Sequence, residues 1–189
     1  MAQGEISHRY MLGTYRLLGM LTDKYPKVIF EGCSGGGGRF DAGMLFYCPQ
    51  IWCSDNTDAI DRLLIQKGTS YGYSVCAVGS HISASPNHQN GREVPIETRA
   101  VVAMSGTFGY ELDPRRLSHD EKQQIRRQIE LFNRHYNLIQ KGRYYRLGND
   151  GTKDYFEAWM FVSEDKKEAL LNLVVKNVWR LSVITNAFN

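Results

Sequence analysis

From Lys27 to Lys141, segments that pattern as strands alternate with segments that pattern as helices, and this alternation restricts the fold more than any other feature. Lys27–Glu31, Pro49–Cys53, Tyr71–Val78 and Ala100–Phe108 have the apolar runs of buried strands. A first helix over Ile6–Tyr25 places Ile6, Tyr10, Leu17 and Leu21, with Met11, Tyr15 and Leu18, at helical spacing before Pro26 stops it. A second, Ala59–Lys67, sets Ile60, Leu63 and Leu64 inward and reaches Gly68 where a C-cap glycine belongs. Val94–Arg99 reads as a short helix. Ser118-His119-Asp120-Glu121 is a capping box opening a long one, with Ile125, Ile129, Phe132, Tyr136 and Ile139 on its inner face. Strands joined by crossovers run parallel, and parallel sheets bind ligands at the carboxyl ends of their strands. The glycine loop after the first strand, Asp55 after the second and the loop around His81 after the third therefore share one face. After Gly142 the pattern changes to Arg143–Leu147, a turn at Gly148-Asn149-Asp150-Gly151, and Phe156–Val162, the signature of antiparallel strands. The division is thus 1–141 and 142–189, with Tyr144, Tyr145, Trp159 and Phe161 as core of the second part.

With 189 residues the chain is one domain and a remainder, too short for a full (β/α)8 barrel of about 250 residues but long enough for part of one. Apolar residues at 42% and charged residues at 23% supply a globular core. Lys and Arg exceed Asp and Glu by 23 to 20, and the basic residues are scattered apart from pairs such as Arg115-Arg116, Arg126-Arg127 and Lys166-Lys167. This spread argues against a nucleic-acid or anionic-membrane surface. No apolar run approaches the 18 or so residues of a membrane span, and Met1-Ala2-Gln3-Gly4-Glu5 lacks a secretory pattern, so a cytoplasmic location is expected. Cys33, Cys48, Cys53 and Cys76 follow no C-x-x-C spacing and have no matching His pair; they read as reduced thiols, not a metal site.

Three segments carry chemical content. In Gly35–Gly38, at a strand end, backbone N–H groups stand uncovered and a polar ligand can approach the main chain; a tight turn or hinge is an equally good reading. A P-loop is excluded because no Lys-Ser or Lys-Thr follows the glycines, and the dinucleotide pattern fails because Arg39-Phe40-Asp41 follows them in place of an opening helix. In Trp52-Cys53-Ser54-Asp55-Asn56-Thr57-Asp58, Asp55 lies three residues after an indole that could desolvate a general acid. The same Asp55 stands just before a helix, where it reads more simply as an N-cap, with Asp58 an ordinary first-turn acid. His81, Asn87 and His88 lie in a polar loop with no acidic partner among them and read best as structural hydrogen-bonding residues.

In combination, Cys33-Ser34-Gly35-Gly36-Gly37-Gly38-Arg39-Phe40-Asp41, Pro49-Gln50-Ile51-Trp52, Ser54-Asp55-Asn56-Thr57-Asp58-Ala59, Pro86-Asn87-His88-Gln89 and Met104-Ser105-Gly106-Thr107-Phe108-Gly109-Tyr110-Glu111-Leu112 resemble the α-galactosidases of glycoside hydrolase family 36 in order and spacing. The resemblance implies an α/β fold: about strands five to eight of a TIM (β/α)8 barrel, followed by the beginning of an antiparallel β-sandwich. It implies a retaining hydrolase that releases terminal α-linked galactose from raffinose-type oligosaccharides and melibiose, needs no cofactor, and is a homo-oligomer when intact. Asp55 carries over as the acid/base, Cys33 as a galactose contact and Gly36 as a backbone contact, with Trp52 beside them. The family's nucleophilic aspartate, in a K-x-D motif, belongs to a strand ahead of the first helix, so the chain reads as a fragment. The segment from Asn177 onward has no match in the resemblance. Two other readings are a non-catalytic galactoside-binding module retaining Cys33, Gly36 and Trp52, and a nucleotide-binding α/β domain.

Overall fold

The computed structural model describes residues 2–148 and 155–176. Helix α1 spans Gln3–Lys24, followed by strand β1 (Glu31–Gly32), helix α2 (Ala42–Tyr47), strand β2 (Gln50–Trp52) and helix α3 (Ala59–Thr69). Then come β3 (Val78–Gly79), β4 (Ile82–Ser83), α4 (Ile96–Ala103), β5 (Tyr110–Glu111) and α5 (His119–Lys141). Three longer strands close the described chain: β6 (Arg143–Leu147), β7 (Phe156–Val162) and β8 (Ala169–Val175).

The expected parallel arrangement is present in two pieces. β1, β2 and β3 form a parallel sheet in that order, with Gly32 opposite Ile51 and Ile51 opposite Val78. β4 and β5 form a separate parallel pair, Ile82 opposite Tyr110. The mixed α/β class expected from the alternation holds, but the strands are shorter than the apolar runs. Val28 and Ile29 remain largely exposed and unpaired, and pairing begins only at Glu31, where β2 lies alongside. Tyr71–Ala77 is a turn followed by a 3-10 helix over Val75–Ala77, leaving Val78–Gly79 as the strand.

The clearest correction concerns Ala100–Phe108. Its β-branched run suggests a strand, yet α4 continues through Ala103, with Ile96, Arg99, Ala100 and Ala103 buried along one helical face. The strand of this unit is only Tyr110–Glu111. As expected, Arg39, Phe40 and Asp41 follow the glycines outside any helix, and α2 opens only at Ala42. Asp41 caps it, its carboxylate accepting from the Met44 N–H at 2.8 Å and from the Tyr15 hydroxyl at 3.0 Å. Gly68 lies within α3, whose C-cap is Ser70. The capping box of α5 is as expected, with Ser118 and Glu121 each bonded to the other's backbone N–H.

β6, β7 and β8 form an antiparallel sheet in sequence order, so β8 adds a strand the pattern did not suggest. Trp159, Phe161 and Val174 point inward and share one core with Leu63 of α3, Ala100 and Val102 of α4, and Phe132 and Ile139 of α5. Tyr144 packs on that core, whereas Tyr145 is exposed, correcting its place among the buried aromatics. A buried Glu157 joins sheet and helix by accepting from Lys67 at 3.2 Å and Lys176 at 3.0 Å. Met44, Cys48 and Ile51 make a second, smaller core beneath α1 and α2. The expected turn at Gly148–Gly151 and the segment from Asn177 lie wholly or partly outside the described residues.

Candidate active site

The ends of β1, β2 and β3 bring together Gly36, Trp52, Asp55 and His81, and Cys33 stands at the start of the glycine loop. The glycine loop is a close backbone apposition. Gly35, Gly36 and Gly37 all have positive φ, at 56°, 70° and 98°, a region that suits glycine. A Cβ on Gly36 would meet the Asp55 backbone nitrogen at 2.5 Å, and one on Gly37 would meet the Cys53 carbonyl oxygen at 2.5 Å. The loop therefore lies directly on the Cys53–Asp55 main chain, as a turn in which the Gly38 N–H donates to the Ser34 carbonyl and the Phe40 N–H to the Gly37 carbonyl, each at 3.0 Å. Cys33, at the mouth of the loop, is exposed, and all four thiols are free.

Asp55 is exposed, and its Oδ1 accepts from Trp52 Nε1 at 3.1 Å. Two expectations are corrected by this geometry. The indole meets the carboxylate with its N–H donor, so its contribution is a charge-assisted hydrogen bond in place of an apolar cover. The N-cap of α3 is Asp58, whose Oδ1 accepts from the Ile60 and Asp61 N–H groups at 3.1 and 2.9 Å, which leaves the Asp55 side chain free of that duty. Asp58 is fully buried and also takes a hydrogen bond from Arg92, while Arg92 reaches Asp61 at 3.0 Å. The hydrogen bond from Asn56, and then the Arg92 guanidinium, hold the Asp61 carboxyl below its ordinary value.

Several other side chains fix the turn from Trp52 to Thr57. The His81 ring packs on the Trp52 indole with centroids 4.8 Å apart, and its Nδ1 lies 3.9 Å from Glu111 Oε2. Gly109 makes room for that imidazole, because a Cβ there would come within 2.9 Å of His81 Cδ2. Gln89 spans the turn, donating to the Asp55 carbonyl at 2.9 Å and accepting from the Thr57 N–H at 3.1 Å. Asn87 is buried and donates to the Thr57 hydroxyl at 3.1 Å, the structural role expected of it, and His88 is exposed. From α3, Arg62 donates to the Ser54 carbonyl and to Cys53 Sγ, each at 3.2 Å, and to the Gly79 carbonyl. Burial pushes the Cys53 thiol up from its ordinary value, with the Arg62 charge opposing the shift.

The structure thus joins Gly36, Trp52 and Asp55 in one contact network and leaves Cys33 exposed at the opening of the loop. Sequence reasoning missed Arg62, although a signal was present: it shares the inward helical face of Ala59, Leu63 and Gln66, an unusual place for a charge. Gln89 was visible only as part of a motif. Among the described residues, no three His, Cys, Asp or Glu side chains gather as a metal ion would require, and no helix is long and apolar enough to cross a membrane.

At the ends of the parallel strands, where such sheets bind ligands, a glycine loop thus lies against the main chain of an indole-bonded carboxylate. Residues 1–142 match the sequence model of the Melibiase family, and the chain belongs to that family. The bifunctional α-galactosidase/sucrose kinase AgaSK of Mediterraneibacter gnavus is 56% identical over 171 residues, which are 90% of this chain and 18% of that protein. α-Galactosidase AgaA of Geobacillus stearothermophilus is 52% identical over 174 residues, 89% of this chain and 23% of that protein. The chain therefore spans about a fifth of the length of these relatives. Among solved structures, the galactosidase domain of AgaSK superposes with a TM-score of 0.91 at 52% identity, covering 98% of this chain and 26% of that one. Geobacillus stearothermophilus AgaA in complex with raffinose superposes with a TM-score of 0.84 at 52% identity, covering 87% and 23%.

Proposed function

We propose that this chain supplies the acid/base side of an α-galactosidase active site, with Asp55 as the proton donor and acceptor. The observation that carries this reading is the apposition of the Gly36 backbone to that of Asp55, whose carboxylate is held by Trp52 Nε1 at 3.1 Å. Cys33 and the Gly36 backbone contact the galactose, and Trp52 holds the carboxylate at its border. Supporting the substrate class, AgaA of Geobacillus stearothermophilus, at 52–53% identity, has been solved with raffinose and with stachyose. On this reading the part up to residue 141 supplies about strands five to eight of a (β/α)8 barrel, and β6, β7 and β8 begin a β-sandwich. Met160 opposite Leu171, Ala158 opposite Leu173 and Phe156 opposite Val175 form an apolar outer face on the sheet, which suits a second sheet packed over it.

In a retaining mechanism, two carboxylates stand about 5–5.5 Å apart. A nucleophilic aspartate, assigned by the family resemblance to a strand ahead of α1, bonds the anomeric carbon as the glycosidic C–O bond breaks. Asp55 gives its proton to the departing oxygen. The same carboxylate then takes a proton from water as the oxygen of that water displaces the aspartate, returning galactose with its original anomeric configuration.

The test uses the AgaSK galactosidase domain with its matched segment exchanged for this chain, and a series of aryl α-galactosides from dinitrophenyl to phenyl. Asp55→Ala is expected to lower kcat/KM on the phenyl substrate about 10²–10⁴-fold while sparing the dinitrophenyl one, which needs no proton. Added azide should release α-galactosyl azide from the accumulated intermediate. Equal losses across the series in a folded exchange protein would overturn the assignment. Galactose should also slow iodoacetamide alkylation of Cys33 in the same protein; identical rates with and without sugar would remove Cys33 from the site.

A further inference from the structure

Arg62 is a buried cation, with 3% of its surface exposed, and among the described residues it forms no ion pair with a carboxylate. Burial correspondingly draws its guanidinium below the ordinary value. Its partners are the Ser54 and Gly79 carbonyls, Cys53 Sγ, and the Trp52 ring, whose centroid is 4.6 Å from the guanidinium carbon. A buried charge whose hydrogen bonds all go to neutral groups, with the Glu111 carboxylate acting on it only at longer range, is costly, and an apolar side chain of similar volume often fills such a place at equal or better stability. Core packing therefore does not explain an arginine here. What its contacts share is location: Trp52, Cys53 and Ser54 are the three residues immediately before Asp55, and Gly79 is the β3 residue paired with Trp52.

Resting on the reading of Asp55 as the acid/base, we infer that Arg62 is the positioning residue of that step: its planar fork ties β2 to β3 and its stack on the indole fixes Trp52 Nε1 against the Asp55 carboxylate. The fork geometry matters because one guanidinium reaches the Ser54 and Gly79 carbonyls through different nitrogens while its central carbon lies over the Trp52 ring, a combination that an ammonium does not offer. Without it the indole and the Ser54 turn relax, and Asp55 no longer sits within hydrogen-bond reach of the glycosidic oxygen. A misplacement of about 1 Å costs on the order of 100-fold in rate, and only substrates whose leaving group needs a proton suffer it.

The experiment places Arg62→Lys, Arg62→Met and Trp52→Phe in the same exchange protein and measures kcat/KM over the aryl α-galactoside series, with thermal midpoints in parallel. Each variant is expected to lose about 100-fold on the phenyl substrate and less than about 3-fold on the dinitrophenyl one. The Arg62→Lys, Trp52→Phe double variant should lose no more than either single one, because both act on one hydrogen bond. A merely structural arginine would lower the midpoint and all substrates together, and that result overturns the inference. If Arg62→Met does not fold, Arg62→Lys and Trp52→Phe still distinguish a positioning arginine from a structural one. Asp55→Ala separates the two ideas: leaving-group dependence for Asp55→Ala without any for Arg62→Lys rejects the positioning role alone, whereas its absence in Asp55→Ala rejects the acid/base reading itself.

Discussion

The arm formed by α1, the loop to β1, and α2 differs sharply from the body built of α3, α4, α5 and the antiparallel sheet. Both regions carry helices with apolar residues at helical spacing. α5 buries Phe132, Leu138 and Ile139, whereas α1, with its 22 residues, buries none. In the arm Ile29 is 81% and Phe46 82% exposed, while in the body Phe161 and Ile82 are wholly enclosed. An amphipathic pattern therefore records that a face is meant to be covered, without recording whether the cover lies in the same chain. The body covers its central core from within the chain, while the outer face of its sheet, with Leu171 and Leu173 exposed, stays open. The arm presents a face that, on the half-barrel reading, packs against the rest of the catalytic domain.

The largest effect expected from this contrast is on activity. The 189-residue chain alone should not turn over an aryl α-galactoside, and adding the preceding part of the AgaSK galactosidase domain in trans should restore turnover. Robust activity of the chain alone, abolished by Asp55→Ala, would place a nucleophile within these residues and remove the arm's need for a partner. Next in size are core truncations. Phe161→Ala should destabilise the chain by about 3–5 kcal/mol in urea unfolding, whereas Phe46→Ala should stay within about 0.5 kcal/mol in the chain alone and cost more in the exchange protein. Equal costs for Phe46→Ala in both settings would show that the arm face stays open.

The smallest effect is a pH dependence confined to the body. The Asp61 carboxyl is held below its ordinary value of 3.8, first by the Asn56 hydrogen bond and then by Arg92, so its contribution is fully present above that value. It is lost as pH falls from there through the folded-state value. Asp61→Asn should flatten the urea midpoint over that acid range and leave it unchanged in form near neutrality. An unaltered acid profile would mean that the Asn56 and Arg92 contacts contribute nothing to stability.

Much of this fold is legible from local chemistry. The capping box at Ser118, the alternation in Phe156–Val162 and the glycine run after β1 each specify a local conformation through their own side chains or lack of them. Ala100–Phe108 is not legible in the same way, because Val101 and Val102 favour a strand by themselves and become helical when Ile96, Ala100 and Ala103 find a shared surface. The site divides similarly. The motifs around Gly36, Trp52 and Asp55 are visible in the sequence, but the relation between Trp52 and Asp55 is not: spacing alone permits an indole face or an indole N–H. Asp55 and Asp58 compete on equal local terms for the cap of α3, and the cap falls to Asp58, which also bonds Arg92 from 34 positions away.

The sequence by itself determined the alternating strand and helix order, the glycine positions that permit close approach, and the set of polar residues that follow the strands. Tertiary structure decided which of those residues meet. Local preferences act over one turn or one strand, whereas the contacts of Arg62 with Gly79, of Gln89 with Asp55 and of His81 with Trp52 exist only after separate strands have been brought side by side.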